Sequence, residues 1–280
     1  MVGFIAVTYG WKMSFIIIML IGLVWAAVWF KFVKERPEGE GAEEILRAEG
    51  QSELAAQPVF PLRFYLKQPT VLFTSLAFFS YNYTLFFFLT WFPSYLTMAH
   101  GLNVKDMSIA TVIPWVLGFL GLALGGFISD FVFKKTGKMM FSRKVVLVTC
   151  LLACAVCIAC AGMVKTLYPA VILVALAVFF LYLTGAIYWA IIQDTVPAAR
   201  VGGVSGFMHF LANTSGIVGP TLTGFLVQFT GSFTSAFLLA GLLTVIGAVC
   251  VARYVKPLSV ADTGKAAEQN PQPASALGHP

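Results

Sequence analysis

Seven stretches of this chain, at about 12–33, 70–97, 107–133, 144–164, 167–193, 201–228 and 233–253, stay apolar over the roughly 20 residues a helix needs to cross a bilayer. Backbone N–H and C=O groups find no water in the hydrocarbon core, so each stretch satisfies its own hydrogen bonds as a helix. The expected fold class is therefore all-α: a polytopic membrane helix bundle of about seven transmembrane helices. Composition agrees. Charged residues make up 11% of the chain and mean hydropathy is +0.87, whereas a soluble domain carries about 25% charged residues. The first stretch is too long for a signal-peptide core. Lys31, Lys34 and Arg36 follow it without a small-residue cleavage site, so it is expected to stay in the mature protein.

The net charge of +6 has a topological cause. Counted over alternate loops, 15 of the 18 Lys and Arg fall on one side and only Lys12, Lys105 and Lys165 on the other. The positive-inside rule makes the first side cytoplasmic, with the C-terminus inside and the N-terminus outside. Basic residues clustered in short loops exclude nucleic acid as a partner. The lipid bilayer is the expected environment, and the inner (plasma) membrane the expected location. Four segments follow: 1–34 with one transmembrane helix, 35–69 as a cytoplasmic loop, 70–256 as a six-helix bundle and 257–280 as a disordered tail. The loop is Glu-rich in its first half and ends in a basic amphipathic stretch with Phe60, Arg63, Phe64 and Lys67, which reads as an interfacial helix.

Few residues carry chemistry. Cys150, Cys154, Cys157 and Cys160 crowd into one apolar stretch, but no His, Asp or Glu joins them there. They read as small hydrophobes, with no metal or cofactor expected. No Ser/His/Asp set or paired carboxylates stand at membrane depth, so the chain is not expected to be an enzyme. A mid-span Lys for a retinal Schiff base is also missing, which argues against a seven-helix photoreceptor.

The sixth stretch is the most informative. Gly202, Gly206, His209, Asn213, Gly216, Pro220 and Gly224 recur every three or four residues, giving one small, polar and bendable face that is not expected to look at lipid. His209 reads as structural, whereas Asn213 is a candidate substrate contact or an interhelical hydrogen bond. Tyr81, Asn82 and Tyr83 lie near the middle of the second stretch, too deep for interfacial anchoring, and Gly185, Tyr188 and Trp189 form a comparable patch in the fifth. Each patch reads as core packing or as binding surface. Gly118, Gly121 and Gly125 make a small face in the third stretch that should pack closely on another helix. The face runs into Gly126, Asp130 and a basic turn with Lys134 and Lys135. No charged residue lies near the middle of any span, so the groups that would couple transport to an ion gradient are not among these helices.

These residues resemble the major facilitator superfamily, in particular its anion:cation symporter family, which includes sugar-acid transporters for glucarate, galactonate and hexuronates. The resemblance covers nearly the whole chain. Its most specific pieces are Gly10-Trp11-Lys12, Tyr81-Asn82-Tyr83, the run from Phe88 to Leu96, the turn from Gly126 to Asp130, and Gly206 through Gly219-Pro220 to Gly224 with Gly231-Ser232-Phe233. It implies that the spans correspond to helices six to twelve of a twelve-helix fold, with residues 35–69 as the central loop and the first five helices as an absent partner. It also implies that the main anion-binding and proton-coupling charges lie in that absent half. Gly126, Asp130, Lys134 and Lys135 match the family's gate signature between helices eight and nine, although Phe131 stands where a basic residue is common. The function implied is secondary active, proton-coupled symport of a small carboxylated substrate such as a sugar acid, by alternating access. Tyr81, Asn82, Tyr83, Tyr188, Trp189 and Asn213 would line the substrate site. The competing expectation is a truncated, non-transporting fragment or a partner-dependent membrane protein.

Overall fold

The computed structural model describes residues 5, 8–33 and 60–256; the Glu-rich part of the expected loop and the expected tail lie outside the described residues. All regular structure among the described residues is helical. In chain order it comprises α1 (Trp11–Phe32), the short α2 (Leu62–Leu66), α3 (Pro69–His100), α4 (Val104–Thr136), α5 (Met139–Met163), α6 (Leu167–Leu183), α7 (Ile187–Thr195), α8 (Ala198–Asn213), α9 (Ser215–Thr230) and α10 (Thr234–Tyr254). Seven spans result, because α6 with α7 and α8 with α9 each form one crossing.

The helices overrun the apolar stretches because their polar ends remain helical. The Asn103 side chain accepts from the Asp106 N–H at 2.9 Å and caps α4, three residues before its apolar stretch begins. At the other end of α4, Gly137 closes the helix at φ 65°, a left-handed conformation that a Cβ disfavours.

α3 runs through the middle of the bundle, with α10 on one side and α8 and α9 on another. Thr84 and Thr244 share a buried 2.9 Å hydrogen bond between α3 and α10, and the Trp91 indole N–H donates to the Pro220 carbonyl across to α9 at 3.1 Å. Such bonds hold helices together where lipid offers no competing partner. The small face of α4 meets α6: a Cβ at Gly121 or Gly125 would run into the backbone carbonyls of Phe179 and Leu183. The tight packing expected from those glycines is thus observed, and its partner is α6.

α1 behaves differently. It buries only Ser14 and leaves Phe15, Leu20, Trp25 and Phe30 exposed, so its apolar surface is turned to lipid or to protein outside this bundle. The basic amphipathic stretch before α3 folds as α2 and docks on α8. Arg200 Nε donates to the Phe60 carbonyl at 3.1 Å, and Leu62 packs over Gly203.

Candidate functional site

Two of the seven spans are interrupted, and both interruptions lie against α3, with Gly185 of the first beside Tyr81 and Gly216, just after the second, beside Phe86. The α6–α7 crossing breaks at Thr184–Ala186, and the α8–α9 crossing breaks at Thr214. The carbonyls released at these breaks are taken by local hydroxyls: Thr184 donates to Leu181 O at 2.7 Å, Thr214 to Leu211 O at 2.6 Å and Ser215 to Ala212 O at 2.6 Å. Gly185 lets α3 approach the first break, since a Cβ there would sit 3.2 Å from Tyr81 Oη.

Around the breaks the aromatic residues converge on Phe78. Its ring lies 4.8 Å from Tyr188, 5.6 Å from Tyr81, 5.8 Å from Trp189 and 6.1 Å from the His209 imidazole. Trp189 and His209 are 5.4 Å apart, and Tyr81 and Tyr188 are 5.6 Å apart. Three helical segments, α3, α7 and α8, therefore contribute to one aromatic cluster. Its inner end is closed, with Tyr188 fully buried, and its outer end opens at His209 and Asn213, which are exposed on α8. The Tyr188 hydroxyl is fully buried and faces the Thr184 hydroxyl at the first break.

Of the six residues expected to line a substrate site, Tyr81, Tyr188 and Trp189 come together. Asn213 stands at the mouth, with its Nδ2 donating to the His209 carbonyl at 2.8 Å. Asn82 is buried and donates back to the Phe78 carbonyl of its own helix at 3.1 Å. Tyr83 points elsewhere: it is fully buried against Gly219 of α9, with its hydroxyl facing Thr223 of the same helix. Phe78, the hub, was not singled out from the sequence, although it sits three residues before Tyr81 at helical spacing. His209, read as structural, is at the centre of the cluster's open end.

The expected gate residues lie at the basic end of α4. Asp130 and Lys134 border an open cavity of about 860 Å³ with Phe127, Phe131 and Met139, while Lys135 lies over the Phe131 ring at 4.5 Å. Gly126 has open space where a Cβ would be. Asp130 is exposed and forms no ion pair among the described residues. The carboxylate that is paired at this end is Asp194 of α7: Arg143 Nε of α5 lies 3.2 Å from its Oδ2, and Arg143 Nη1 donates to Ser129 Oγ of α4 at 3.3 Å. Both partners are largely shielded, so three spans are tied at one charged node that spacing along the sequence does not reveal.

Comparison with known proteins places the chain. The family profile of the Major Facilitator Superfamily matches residues 1–217 and 137–279. The chain is 60% identical over 270 residues to the hexuronate transporter of Bacillus subtilis, covering 95% of this chain and 63% of that protein. It is 31% identical over 261 residues to a probable sulfoacetate transporter, SauU, of Cupriavidus necator, covering 91% and 60%. It is 28% identical over 256 residues to the D-galactonate transporter of Escherichia coli, covering 85% and 58%. The chain thus spans roughly three fifths of the length of the curated relatives it matches. Among solved structures, a bacterial homologue of the human lysosomal transporter Spinster, inward-facing and unoccupied, aligns with a TM-score of 0.48 at 15% identity, covering 92% of this chain and 59% of that one. These relatives are transporters and not enzymes, and the seven apolar helices make this a multi-pass membrane protein. The chain belongs to the Major Facilitator Superfamily.

Proposed function

We propose that this chain forms the C-terminal seven spans of a transporter for hexuronates or closely related sugar acids, with the aromatic cluster around Phe78 as its wall of the substrate site. The observation that carries the reading is the convergence of Tyr81, Tyr188, Trp189 and His209 where two spans are broken, with Asn213 at the open end. Discontinuous helices at a midplane site are how transporters expose backbone and side-chain polar groups to a substrate without exposing them to lipid. Flat aromatic faces suit the C–H faces of a sugar ring, and the Asn213 amide and the Tyr188 hydroxyl suit its hydroxyl groups. The 60% identity to a hexuronate transporter supports that substrate class.

These seven spans hold no charged side chain near mid-membrane to balance a carboxylate or carry a proton. In this reading those groups, and proton coupling, belong to the remainder of the transporter, which packs on the open face of α8 and works with this bundle by alternating access. Residues 35–69 form the central cytoplasmic loop. Gly126, Asp130, Lys134 and Lys135 form one side of a cytoplasmic gate whose other side is that remainder. The protein sits in the inner membrane with its C-terminus inside.

The test is uptake of labelled glucuronate or galacturonate by cells that express the transporter and lack their own hexuronate uptake. Asn213→Ala and Tyr188→Phe are each expected to lower transport efficiency about 10-fold or more, the scale of one lost hydrogen bond to a charged or polar substrate. Wild-type uptake in both variants would remove the site assignment. A protonophore that leaves uptake unchanged would remove proton coupling.

A further inference from the structure

Outside the aromatic cluster, a groove of about 800 Å³ lies between the first turns of α5 and the last turn of α10. Its wall is mostly apolar, with Met139, Met140 and Phe141 at the start of α5. Val145, Val148 and Leu152 recur along α5 at three- and four-residue spacing, and Val255 faces them. Val145 and Leu152 are 38% and 41% exposed, which on a membrane span means that the groove opens to lipid. Its mouth differs in kind: Lys138, Lys144 and Lys256 all border it, and no carboxylate among the described residues does.

Among the described residues these lysines have no acidic partner. Lys138 occupies the N-cap position of α5, where no side chain caps the helix and the positive end of the helix dipole makes a cation unfavourable. Lys144 leans across the groove and donates from Nζ to the Ala252 carbonyl at 3.0 Å, so its partner is neutral. Lys256 is exposed just beyond α10, where its backbone N–H is held by Thr70 Oγ1 at 3.1 Å. Three ammonium groups and a helix N-terminus at the head of an apolar trough call for a ligand with one anionic end and one long hydrocarbon end.

We propose that this groove binds an anionic diacyl phospholipid, with its phosphodiester among Lys138, Lys144 and Lys256 and an acyl chain along Val145, Val148 and Leu152. A free phosphate would use the mouth alone. The aliphatic wall continues along α5 for about 10 Å from Val145 to Leu152, at roughly 1.5 Å per residue, and only a chain-bearing ligand covers it. The site is separate from the substrate cluster and does not depend on what the transporter carries.

Native mass spectrometry of the full chain in mild detergent tests this, with phosphatidylglycerol and phosphatidylcholine offered at equal concentration. Phosphatidylglycerol adducts should predominate on the wild type, and Lys138→Gln/Lys256→Gln should cut that preference about tenfold, because each lysine beside an anionic headgroup contributes to binding. Both lysines are exposed, so the variant keeps the fold. Leu152→Trp, which fills the trough without changing charge, should reduce phosphatidylglycerol binding as well. An unchanged lipid preference in the double lysine variant overturns the proposal. So does displacement of the lipid by excess inorganic phosphate together with indifference to Leu152→Trp, which marks a simple anion site. Adducts that appear only after residues 257–280 are removed would assign the groove to that segment and overturn it too.

Discussion

Arg143 and Asp194 stand 51 positions apart in the chain, yet they make the ion pair that joins α5 to α7, with Ser129 of α4 as a third partner. Because the pair is largely shielded and hydrogen-bonded, removing one member leaves the other unpaired, so Asp194→Asn is expected to lower stability by about 1–3 kcal/mol. Asp130→Asn, at an exposed and unpaired carboxylate, is expected to change stability by less than about 0.5 kcal/mol. Thermal melts of the two variants in detergent check this, and equal losses would remove the distinction. The sequence pointed to Asp130 because it belongs to a compact motif, whereas Asp194 and Arg143 belong to no shared pattern. The same limit applies at the candidate site. Tyr81, Asn82 and Tyr83 are adjacent in sequence, but successive helical residues point about 100° apart, so they could not all face one cavity. Tyr81 turns to α7 and Tyr83 to α9, while Phe78, one turn before Tyr81, is the residue that gathers the cluster.

At the scale of elements, the spans themselves were legible, because apolar length is the signal a bilayer requires and little else produces it. Close packing of α4 was legible from Gly118, Gly121 and Gly125, since glycine three and four residues apart serves close approach. Its partner was not legible, because nothing on α6 advertises the carbonyls of Phe179 and Leu183. Gly125→Leu is therefore expected to destabilise the bundle at or beyond the upper end of the roughly 1–3 kcal/mol usual for overpacking, as backbone cannot move aside like a side chain. Gly206→Ala, where a new Cβ meets nothing within 4 Å, is expected to be neutral or slightly stabilising in the same melting experiment. The breaks at Thr184–Ala186 and Thr214 escaped the sequence. The proline that drew attention, Pro220, lies inside α9, and the chain breaks six residues earlier, where Thr214 and Ser215 take up backbone carbonyls.

For the molecule as a whole, charge and structure agree on a polar axis. Arg63, Lys138, Arg143, Arg200 and Lys256 gather at one end, where Thr70 bonds Lys256 and Arg200 bonds Phe60. Lys105 and Lys165 lie at the other end, where Thr234 bonds Gly162. If the positive-inside rule orients this axis, single cysteines replacing Lys138 and Lys165 will react with a membrane-impermeant maleimide from opposite sides of the membrane. Lys165→Cys should be labelled in intact cells and Lys138→Cys only after the cells are opened. The reverse pattern would invert the proposed topology and move the gate to the outer face. One further consequence follows from the two interrupted crossings. A continuous helix turns as a single rod, because every residue is bonded to the next turn. At Thr184–Ala186 the N–H groups fall back on carbonyls three residues earlier, so twist applied at the basic end of α7 need not reach α6, whereas at Thr214 the N–H still reaches Phe210 and the carbonyl still accepts from Val218, which keeps α8 and α9 coupled. The α6–α7 crossing is thereby jointed against α3, with Tyr81 beside the joint, while α4, α5 and α10 run through unbroken.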